Sequence, residues 1–458
     1  MRARPVRSWR LGVTPTIVAL STIVLLLEGR SASAQIVLPP TAPVGPPWNA
    51  QNVFEPVPFA QMWELATREG IAPEDTPVKT RQHPGYEPLG IRAGAWMFHP
   101  SLSIGTAYDS NIFASNLNKR SDLALKVHPS LRANTLWERH AIALQADIWS
   151  TFYRTHSSLD TTDASFKGRG RIDLAHDAAI LTSFRAARLN EGVGSLSSPT
   201  GAVEPTPYDL FSGDITYRQT FNRITASVGV RADSYDFGST RAQDGTVISQ
   251  DSRDGQVYAV HGRIDYTVSP KFGVFTALEG NKREFRGTPS RSLNSDGYRA
   301  LVGVNLEFTR LITGEFGVGY ASQTFDAASI GSIEGPTYRA MLTWSPTRSV
   351  DVRFKAEQLV TQASDTDASG IKADAFQIGI DYEFRRNIVL SLSGTYETDT
   401  FYGQARKDHV YASLAELKYM PNRFGSISLW HRYVNRDSNI PSFVYDKHEV
   451  GINVTAQY

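Results

Sequence analysis

The sequence predicts an all-β fold, a transmembrane antiparallel up-and-down β-barrel of about 18 strands with a short N-terminal periplasmic segment. Long runs alternate between apolar and polar residues, short polar turns alternate with longer polar loops, and an aromatic residue precedes most of the short turns. Alternation of this kind places the two sets of side chains on opposite faces of a strand. A closed barrel is the structure that lets such strands cross a membrane.

The composition is that of a folded protein and excludes several kinds of site. Of the 458 residues, 41% are hydrophobic and 20% are charged, which excludes wholesale disorder. The chain has no cysteine, so disulfides, thiolate zinc sites, iron–sulfur clusters and a cysteine nucleophile are excluded. A formal net charge of +1 gives no basic surface for nucleic acid, and we expect no nucleic-acid partner.

The first 34 residues have the pattern of a secretory signal peptide. Four arginines open the chain: Arg2, Arg4, Arg7 and Arg10. An apolar stretch from Gly12 to Leu27 follows, and Ala32-Ser33-Ala34 provides the small residues of a cleavage site. We therefore expect export and cleavage after Ala34, which changes the net charge from +1 to −3 by removing five Arg and one Glu. The alternative is an anchor helix, for which an apolar stretch of roughly 16 residues is short.

Residues 35–92 form a proline-rich segment that we expect on the periplasmic side. Its prolines predict an extended, semi-rigid chain: Pro39, Pro40, Pro43, Pro46, Pro47, Pro56 and Pro58. A short amphipathic helix is predicted over Phe59–Glu69, because its apolar residues recur at helical spacing. This helix could dock on a partner or fold back on the barrel, and the segment could plug the lumen.

Residues 93–458 carry the barrel pattern. In Val350–Glu357, Val, Val, Phe and Ala alternate with Asp, Arg, Lys and Glu, and Phe376–Phe384 and Tyr298–Phe308 behave in the same way. Such runs last about nine to eleven residues, the length that a tilted strand needs to cross a bilayer. Short turns on one side and long loops on the other are typical of outer-membrane barrels, and an even strand number leaves both termini in the periplasm.

The aromatic residues near the short turns predict an interfacial girdle on the lipid-facing wall. They are Tyr217, Tyr266, Phe308, Trp344, Phe384, Tyr419 and Tyr458. Their spacings of 35 to 49 residues also fit a β-propeller, but each period holds two long runs rather than four short strands. The final run ends on Tyr458 and resembles the signal that barrel-assembly machinery recognises, so we expect that machinery and outer-membrane lipid as partners.

The polar faces of the predicted strands would line the lumen. Nine basic residues are the pore-lining candidates: Lys167, Arg169, Arg171, Arg231, Arg263, Arg299, Arg339, Arg353 and Lys355. As a set they would attract anionic or sugar-like solutes. The alternative is a structural ladder, in which Arg and Asp two residues apart neutralise their neighbours in the sheet.

The sequence contains no pattern that predicts catalysis. It has no H-E-x-x-H and no G-x-S-x-G motif, and neither His261 nor His431 has a nucleophile in its local pattern. We therefore expect no enzymatic activity, no metal and no cofactor. A hydrolase site assembled across distant strands, a plugged structural or adhesive barrel and a secreted soluble β-protein stay open as alternatives.

Three segments near the start of the barrel resemble the putative β-barrel porin family of proteobacterial outer-membrane proteins. They are Tyr86–Arg92, Pro100-Ser101-Leu102 and Tyr108–Phe113, and the resemblance extends from about residue 80 to the C-terminus. It implies a location in the outer membrane and passage of solutes. Some members are linked to exopolysaccharide or capsule export, which implies exopolysaccharide as a cargo and export components as partners. The resemblance implies no catalytic residues.

Overall fold

The computed structural model describes Val78 and residues 85–195, 198–199, 201–287, 293–309, 311–327, 331–361 and 370–458. The predicted signal peptide and the predicted helix over Phe59–Glu69 lie outside these residues. Within them, no helix is long and apolar enough to span a membrane.

The described residues form eighteen strands of 12 to 16 residues that pair in one antiparallel sheet. The first nine are β1 Trp96–Asp109, β2 Asp122–Thr135, β3 Ala141–Tyr153, β4 Thr161–Ala175, β5 Ala178–Glu191, β6 Thr206–Phe221, β7 Ile224–Phe237, β8 Gly255–Ser269 and β9 Phe272–Phe285. The second nine are β10 Ser295–Thr309, β11 Ile312–Phe325, β12 Ser332–Thr347, β13 Val350–Thr361, β14 Gly370–Arg385, β15 Ile388–Tyr402, β16 Lys407–Asn422, β17 Gly425–Ser438 and β18 Tyr445–Gln457.

The sheet closes on itself. Each strand pairs with the next, and β18 pairs with β1, with Ser101 opposite Gln457 and Asp109 opposite Glu449. The predicted 18-stranded antiparallel barrel is therefore confirmed. The strands are longer than the predicted nine to eleven residues because pairing continues through their polar ends, as at Glu191 opposite Thr206.

The connections differ at the two ends of the barrel. At one end, here the turn end, seven connections span two residues and the β2–β3 connection spans five. At the other end, the loop end, they span four to seventeen residues. The longest loop contains a small hairpin of Thr240–Arg241 and Val247–Ile248. At the turn end, a short strand, Ile91–Ala93, pairs antiparallel with Trp96–Phe98, the first three residues of β1.

Side chains alternate between an inward and an outward face, as β8 shows. Its inward residues His261, Arg263 and Asp265 are buried, whereas Val260 and Ile264 between them are more than half exposed, at 58% and 51%. The buried face is thus polar and the exposed face apolar, the reverse of a soluble protein. An apolar cluster also lies inside the barrel near the loop ends of β5–β10: Leu189, Tyr208, Leu210, Tyr235, Phe237, Val257, Phe285 and Leu293.

Candidate functional site

The nine basic residues predicted to line the pore all lie on inward-facing positions of β4, β7, β8, β10, β12 and β13. Their surroundings differ. The side chains of Arg231, Arg263 and Arg339 are 8%, 5% and 5% exposed, whereas those of Arg353 and Lys355 are 42% and 29% exposed. Solutes could reach the second group more readily than the first. Their role in solute contact stays a prediction.

The inward charges of β7–β13, here called the paired wall, neutralise one another. Arg263 is the clearest case: it donates to Asp265 at 2.8 Å and to Asn305 at 3.2 Å, and its Nη1 lies 2.9 Å from Glu315. Its guanidinium carbon lies 3.9 Å from the centroid of the Phe275 ring. Such a cation is satisfied on every side, and its burial favours a structural role.

Glu357 is the centre of a second group on the paired wall. Its carboxylate lies 3.3 Å from Arg299, 3.5 Å from Lys355 and 3.9 Å from Arg339, so three cations from three strands share one acid. Its side chain is 7% exposed. Removing this one charge would leave three cations without their common partner.

Several contacts of the paired wall bridge strands that are not neighbours. Arg263 of β8 reaches Glu315 of β11, and Arg283 of β9 donates to the Val360 carbonyl of β13 at 3.0 Å. A cavity of about 260 Å³ lies among the inward side chains of β7–β15. Side chains on this side of the lumen therefore reach across it and leave a cavity between them.

The inward face of β3–β5 is different. Here Asp147, Trp149, Ser165, Lys167 and Arg185 form what we call the Trp149 patch. In the sheet, Asp147 is opposite Ser165, and Lys167 is opposite Arg185. Lys167 Nζ lies 5.9 Å from the centroid of the Trp149 ring. Sequence reasoning identified Lys167 and missed the other four, although each occupies an inward position of an alternating run.

Four polar atoms of the Trp149 patch are buried without a hydrogen-bond partner among the described residues: Asp147 Oδ2, Trp149 Nε1, Ser165 Oγ and Arg185 Nε. The other carboxylate oxygen of Asp147 is satisfied, since it accepts from Ser130 at 2.8 Å and from Gln145 at 3.1 Å. An unsatisfied buried polar group costs about 1–3 kcal/mol. Such atoms are usually satisfied by ordered water, and the paired wall has four of its own, on Asn281, Arg339 and Arg353.

One loop crosses the loop-end mouth of the barrel. Gly194 and Ser195 follow β5, and their carbonyls accept from Tyr445 Oη of β18 at 3.1 Å and from Arg436 of β17 at 3.4 Å. Around the barrel, β18 is five positions and β17 is six positions away from β5. The sequence predicts longer polar loops but not the inward path of this one, because the residues that hold it are far away in the chain.

The longest loop is also fixed to the wall. Arg253 is buried and donates to both oxygens of Glu191, at 2.7 and 2.9 Å. Beside it, Asp254 accepts from the Phe237 backbone at 2.7 Å, and burial raises the pKa of its carboxyl above the ordinary value. The C-terminal end of the β7–β8 loop is therefore held against the ends of β5 and β7.

At the turn end, Val78 contacts the inner wall. It is fully buried, and its backbone N–H donates to Asp351, which is also fully buried at the start of β13. Ser345 donates to the other oxygen of the same carboxylate at 2.5 Å. Part of the segment that precedes the barrel thus lies against the inside of its turn end.

The outer wall carries two aromatic belts. The seven predicted girdle residues lie near the turn ends of their strands, point outward and are 41% to 54% exposed. A second belt, which sequence reasoning missed, lies nearer the loop end: Tyr108, Tyr258, Tyr298, Tyr320, Tyr338, Phe376, Tyr396, Tyr411 and Tyr433. In β8, β14 and β16 the belts are eight residues apart, or about 21 Å at ~3.4 Å per residue and a tilt of about 40°. The outward aromatic residue eight positions before Tyr266, Phe384 and Tyr419 was the available signal.

The described residues hold no group of three or more His, Asp or Glu side chains that could bind a metal ion.

His261 lies 3.0 Å from Thr216 and 3.7 Å from Asp214, but both contacts are made by the same ring nitrogen, Nε2. A catalytic relay needs the acid and the nucleophile on different ring nitrogens. This trio therefore does not have the geometry of a hydrolase triad.

Comparisons with solved structures give distant likenesses. A mutant of the ferric enterobactin receptor PfeA from Pseudomonas aeruginosa is 7% identical, with a TM-score of 0.44, over 80% of this chain and 81% of that chain. OpdL from Pseudomonas aeruginosa is 11% identical, with a TM-score of 0.41, over 80% of this chain and 99% of that chain. OpdQ from the same organism is 10% identical, with a TM-score of 0.42, over 79% and 97%.

The family comparison covers most of the chain. No curated protein matches it in sequence. The model of the family described as Putative beta-barrel porin 2 matches residues 83–458, which include all eighteen strands. The resemblance seen at the start of the barrel is thereby confirmed. This chain belongs to the Putative beta-barrel porin 2 family.

Proposed function

We propose that this protein is an outer-membrane channel that passes small solutes or exopolysaccharide across the membrane. The observation that carries the proposal is the closed barrel of eighteen strands with a polar inner face and an apolar outer face between two aromatic belts. Barrels of this strand number enclose a lumen wide enough for water. The membership of a porin family supports the same function and the same location.

A non-enzymatic role accompanies this proposal. The porin family gives no catalytic residues to transfer, and the His261 trio lacks the geometry of a relay.

The partners that we propose are outer-membrane lipid, the barrel-assembly machinery acting through β18, and components of polysaccharide export. Tyr458 supports the second of these, because it is outward-facing and 46% exposed beside β18.

Planar-bilayer recording of the purified full-length protein tests the channel. We expect stepwise conductance, and we expect liposomes that contain the protein to admit small sugars. Folding of the preparation is checked by the change in its gel mobility on heating. A folded preparation that gives no conductance and excludes small sugars would contradict the proposal.

A plugged structural or adhesive barrel is the second candidate, and one observation favours it. Val78 is buried against Asp351 inside the turn end, while Gly194 and Ser195 cross the loop end. Deleting residues 35–84 tests this alternative. A plug predicts that the deletion raises conductance many-fold from near zero, whereas an open channel conducts before the deletion and changes little. Asp351→Asn is the finer test, because it weakens the carboxylate that accepts from the Val78 N–H, and Ser345→Ala is its control, because it removes only the other donor to that carboxylate.

A further inference from the structure

We propose that the cavity among the inward side chains of β7–β15 is a binding subsite for a neutral sugar. This inference rests on the proposed channel function and names the class of solute that the lumen recognises. It combines three features of the cavity: its size, polar groups that a solute can reach, and a balance of positive and negative charge.

The cavity has the size of a site for one small solute. Its volume is about 260 Å³. Typical ligand pockets measure ~300–1,000 Å³, and one molecule of liquid water takes ~30 Å³. The side chains around the cavity come from distant strands, since β9 and β14 both line it and lie five positions apart around the barrel. A solute in the cavity therefore contacts the inner wall on more than one side.

Two uncharged polar side chains of the cavity are open to a solute. Gln377 of β14 is exposed to the lumen, and Thr395, opposite it on β15, is half-buried. Neither side chain makes a hydrogen bond with another described residue. An amide and a hydroxyl each donate and accept hydrogen bonds, as the hydroxyls of a sugar do. This part of the wall therefore matches a polyhydroxylated solute.

Two charged side chains of β9 extend this set across the cavity. Arg283 is half-buried, and the one hydrogen bond that it makes with described residues goes to the Val360 carbonyl at 3.0 Å. Glu279 is 19% exposed and lies 3.7 Å from Arg231, which is too long for a hydrogen bond. Arg283 has N–H groups left to donate, and Glu279 has oxygens left to accept. Sugar hydroxyls can bond to both.

The charges around the cavity favour a solute without net charge. Among the described residues, four cations and four carboxylates line it. Arg231 contacts Asp233 at 3.2 Å, and Arg299 and Lys355 share Glu357 at 3.3 and 3.5 Å. A solute with a net charge would upset this balance, whereas a neutral solute leaves the ion pairs intact.

A zwitterion such as an amino acid is the rival neutral solute. It would place its carboxylate at Arg283 and its ammonium at Glu279, and these residues are four positions apart on β9, or about 14 Å at ~3.4 Å per residue. The two charges of an amino acid are close together, whereas the hydroxyls of an oligosaccharide are spread over such a distance. The half-buried Leu359 also gives the cavity apolar surface for the C–H groups of a sugar ring.

Binding of three matched solutes to the full-length protein tests the class of solute. The probe is maltotriose, the acidic comparison is trigalacturonate and the zwitterionic comparison is triglycine, each followed by calorimetry. The micelles are of lauryldimethylamine oxide, because its headgroup is not a sugar. We expect maltotriose to bind and both comparisons to bind at least about tenfold more weakly. Equal or tighter binding of trigalacturonate or triglycine, or no binding of maltotriose, would overturn the inference.

Variants place the binding at the cavity. We expect Gln377→Leu and Thr395→Val each to weaken maltotriose binding about fivefold, because each removes hydrogen bonds to the sugar. Thr151→Val is the matched control, since Thr151 is also half-buried and lies on β3 opposite Lys126, outside the cavity. An equal loss of affinity in Thr151→Val would overturn the assignment.

Filling the cavity is an independent test of its position. Ala375 lines the cavity on β14, and Ala375→Phe should weaken maltotriose binding at least about tenfold by occupying the space of the sugar. The change in gel mobility on heating checks the folding of every variant. Folded Ala375→Phe that binds maltotriose as the wild type does would overturn the assignment.

The same protein in planar bilayers separates the two proposals. Conductance without maltotriose binding would leave the channel standing and overturn the neutral-sugar subsite. Binding without conductance would overturn the channel and leave the subsite standing as a feature of a plugged barrel. If both hold, added maltotriose should block the current in the wild type and block it less in Gln377→Leu.

Discussion

The paired wall and the Trp149 patch carry the same kinds of cation on the same inner face, and they differ in where the carboxylates lie. Arg263 has Asp265 two residues further on and Glu315 across the lumen. Lys167 is opposite Arg185 in the sheet and has Asp147 as an acidic neighbour. The number of basic residues in a lumen therefore says little about solute contact, because a cation already bound to carboxylates has little charge or hydrogen-bonding capacity left for a solute.

The largest expected effect concerns the stability of the paired wall. Glu357→Gln removes the one carboxylate that Arg299, Arg339 and Lys355 share, and it should lower the free energy of unfolding by about 3 kcal/mol, as for the loss of one partner from a buried ion pair. Urea unfolding in detergent micelles, followed by gel mobility, measures the change. Lys167→Gln is the comparison, and we expect it to change the stability by less than about 0.5 kcal/mol. Equal losses of unfolding free energy in the two variants would mean that the two regions do not differ in how strongly their charges are paired.

The second effect concerns ion selectivity and belongs to the Trp149 patch. The double variant Lys167→Gln, Arg185→Gln removes two of its cations, and we expect the chloride-to-potassium permeability ratio to fall severalfold, because a lumen attracts ions opposite to its unbalanced charge. The reversal potential across a KCl gradient gives the ratio. The matched double variant Arg263→Gln, Asp265→Asn removes a neutral pair from the paired wall and should leave the ratio nearly unchanged. If that control shifts the permeability ratio more than the variant of the Trp149 patch does, then the paired wall and not the Trp149 patch carries the unbalanced charge.

The sequence predicts a large part of this arrangement. Period-two alternation gives the all-β fold and the inward placement of all nine basic residues, and the repeated aromatics give one of the two belts. An acid two residues after a cation also identifies some paired side chains, namely Arg171 with Asp173, Arg231 with Asp233 and Arg263 with Asp265. These relations are local, so a single strand is enough to reveal them.

The remaining features depend on residues that are distant in the chain. Glu357 gathers cations from β10, β12 and β13, and which strands approach one another inside the lumen depends on the shape of the closed barrel. The same holds for Gly194 and Ser195, which meet β17 and β18 about 240 residues later in the chain. The Trp149 patch was missed for a different reason. A lone inward Trp or Asp in an alternating run has no local pattern that separates a binding residue from a structural one.

The smallest expected effect tests the comparison within a single strand. Arg171 lies four residues from Lys167 on the same face of β4, but its Nε donates to Asp173 at 2.7 Å. These two side chains are 23% and 17% exposed, so water screens the pair, and Arg171→Gln should lower the free energy of unfolding by less than about 1 kcal/mol. Since Asp173 neutralises Arg171, we also expect a smaller change in the permeability ratio than Lys167→Gln gives.

The two variants on β4 each remove one positive charge from the inward face of the same strand, so the net charge of the lumen changes by the same amount in both. A difference between them then reflects the surroundings of each charge, and the carboxylate beside Arg171 is the feature to test. Asp173→Asn completes the test, because it releases the Arg171 charge and should raise the chloride-to-potassium permeability ratio. If Arg171→Gln and Lys167→Gln shift the reversal potential equally, and Asp173→Asn has no effect, then net charge alone sets the selectivity and the local position of carboxylates does not.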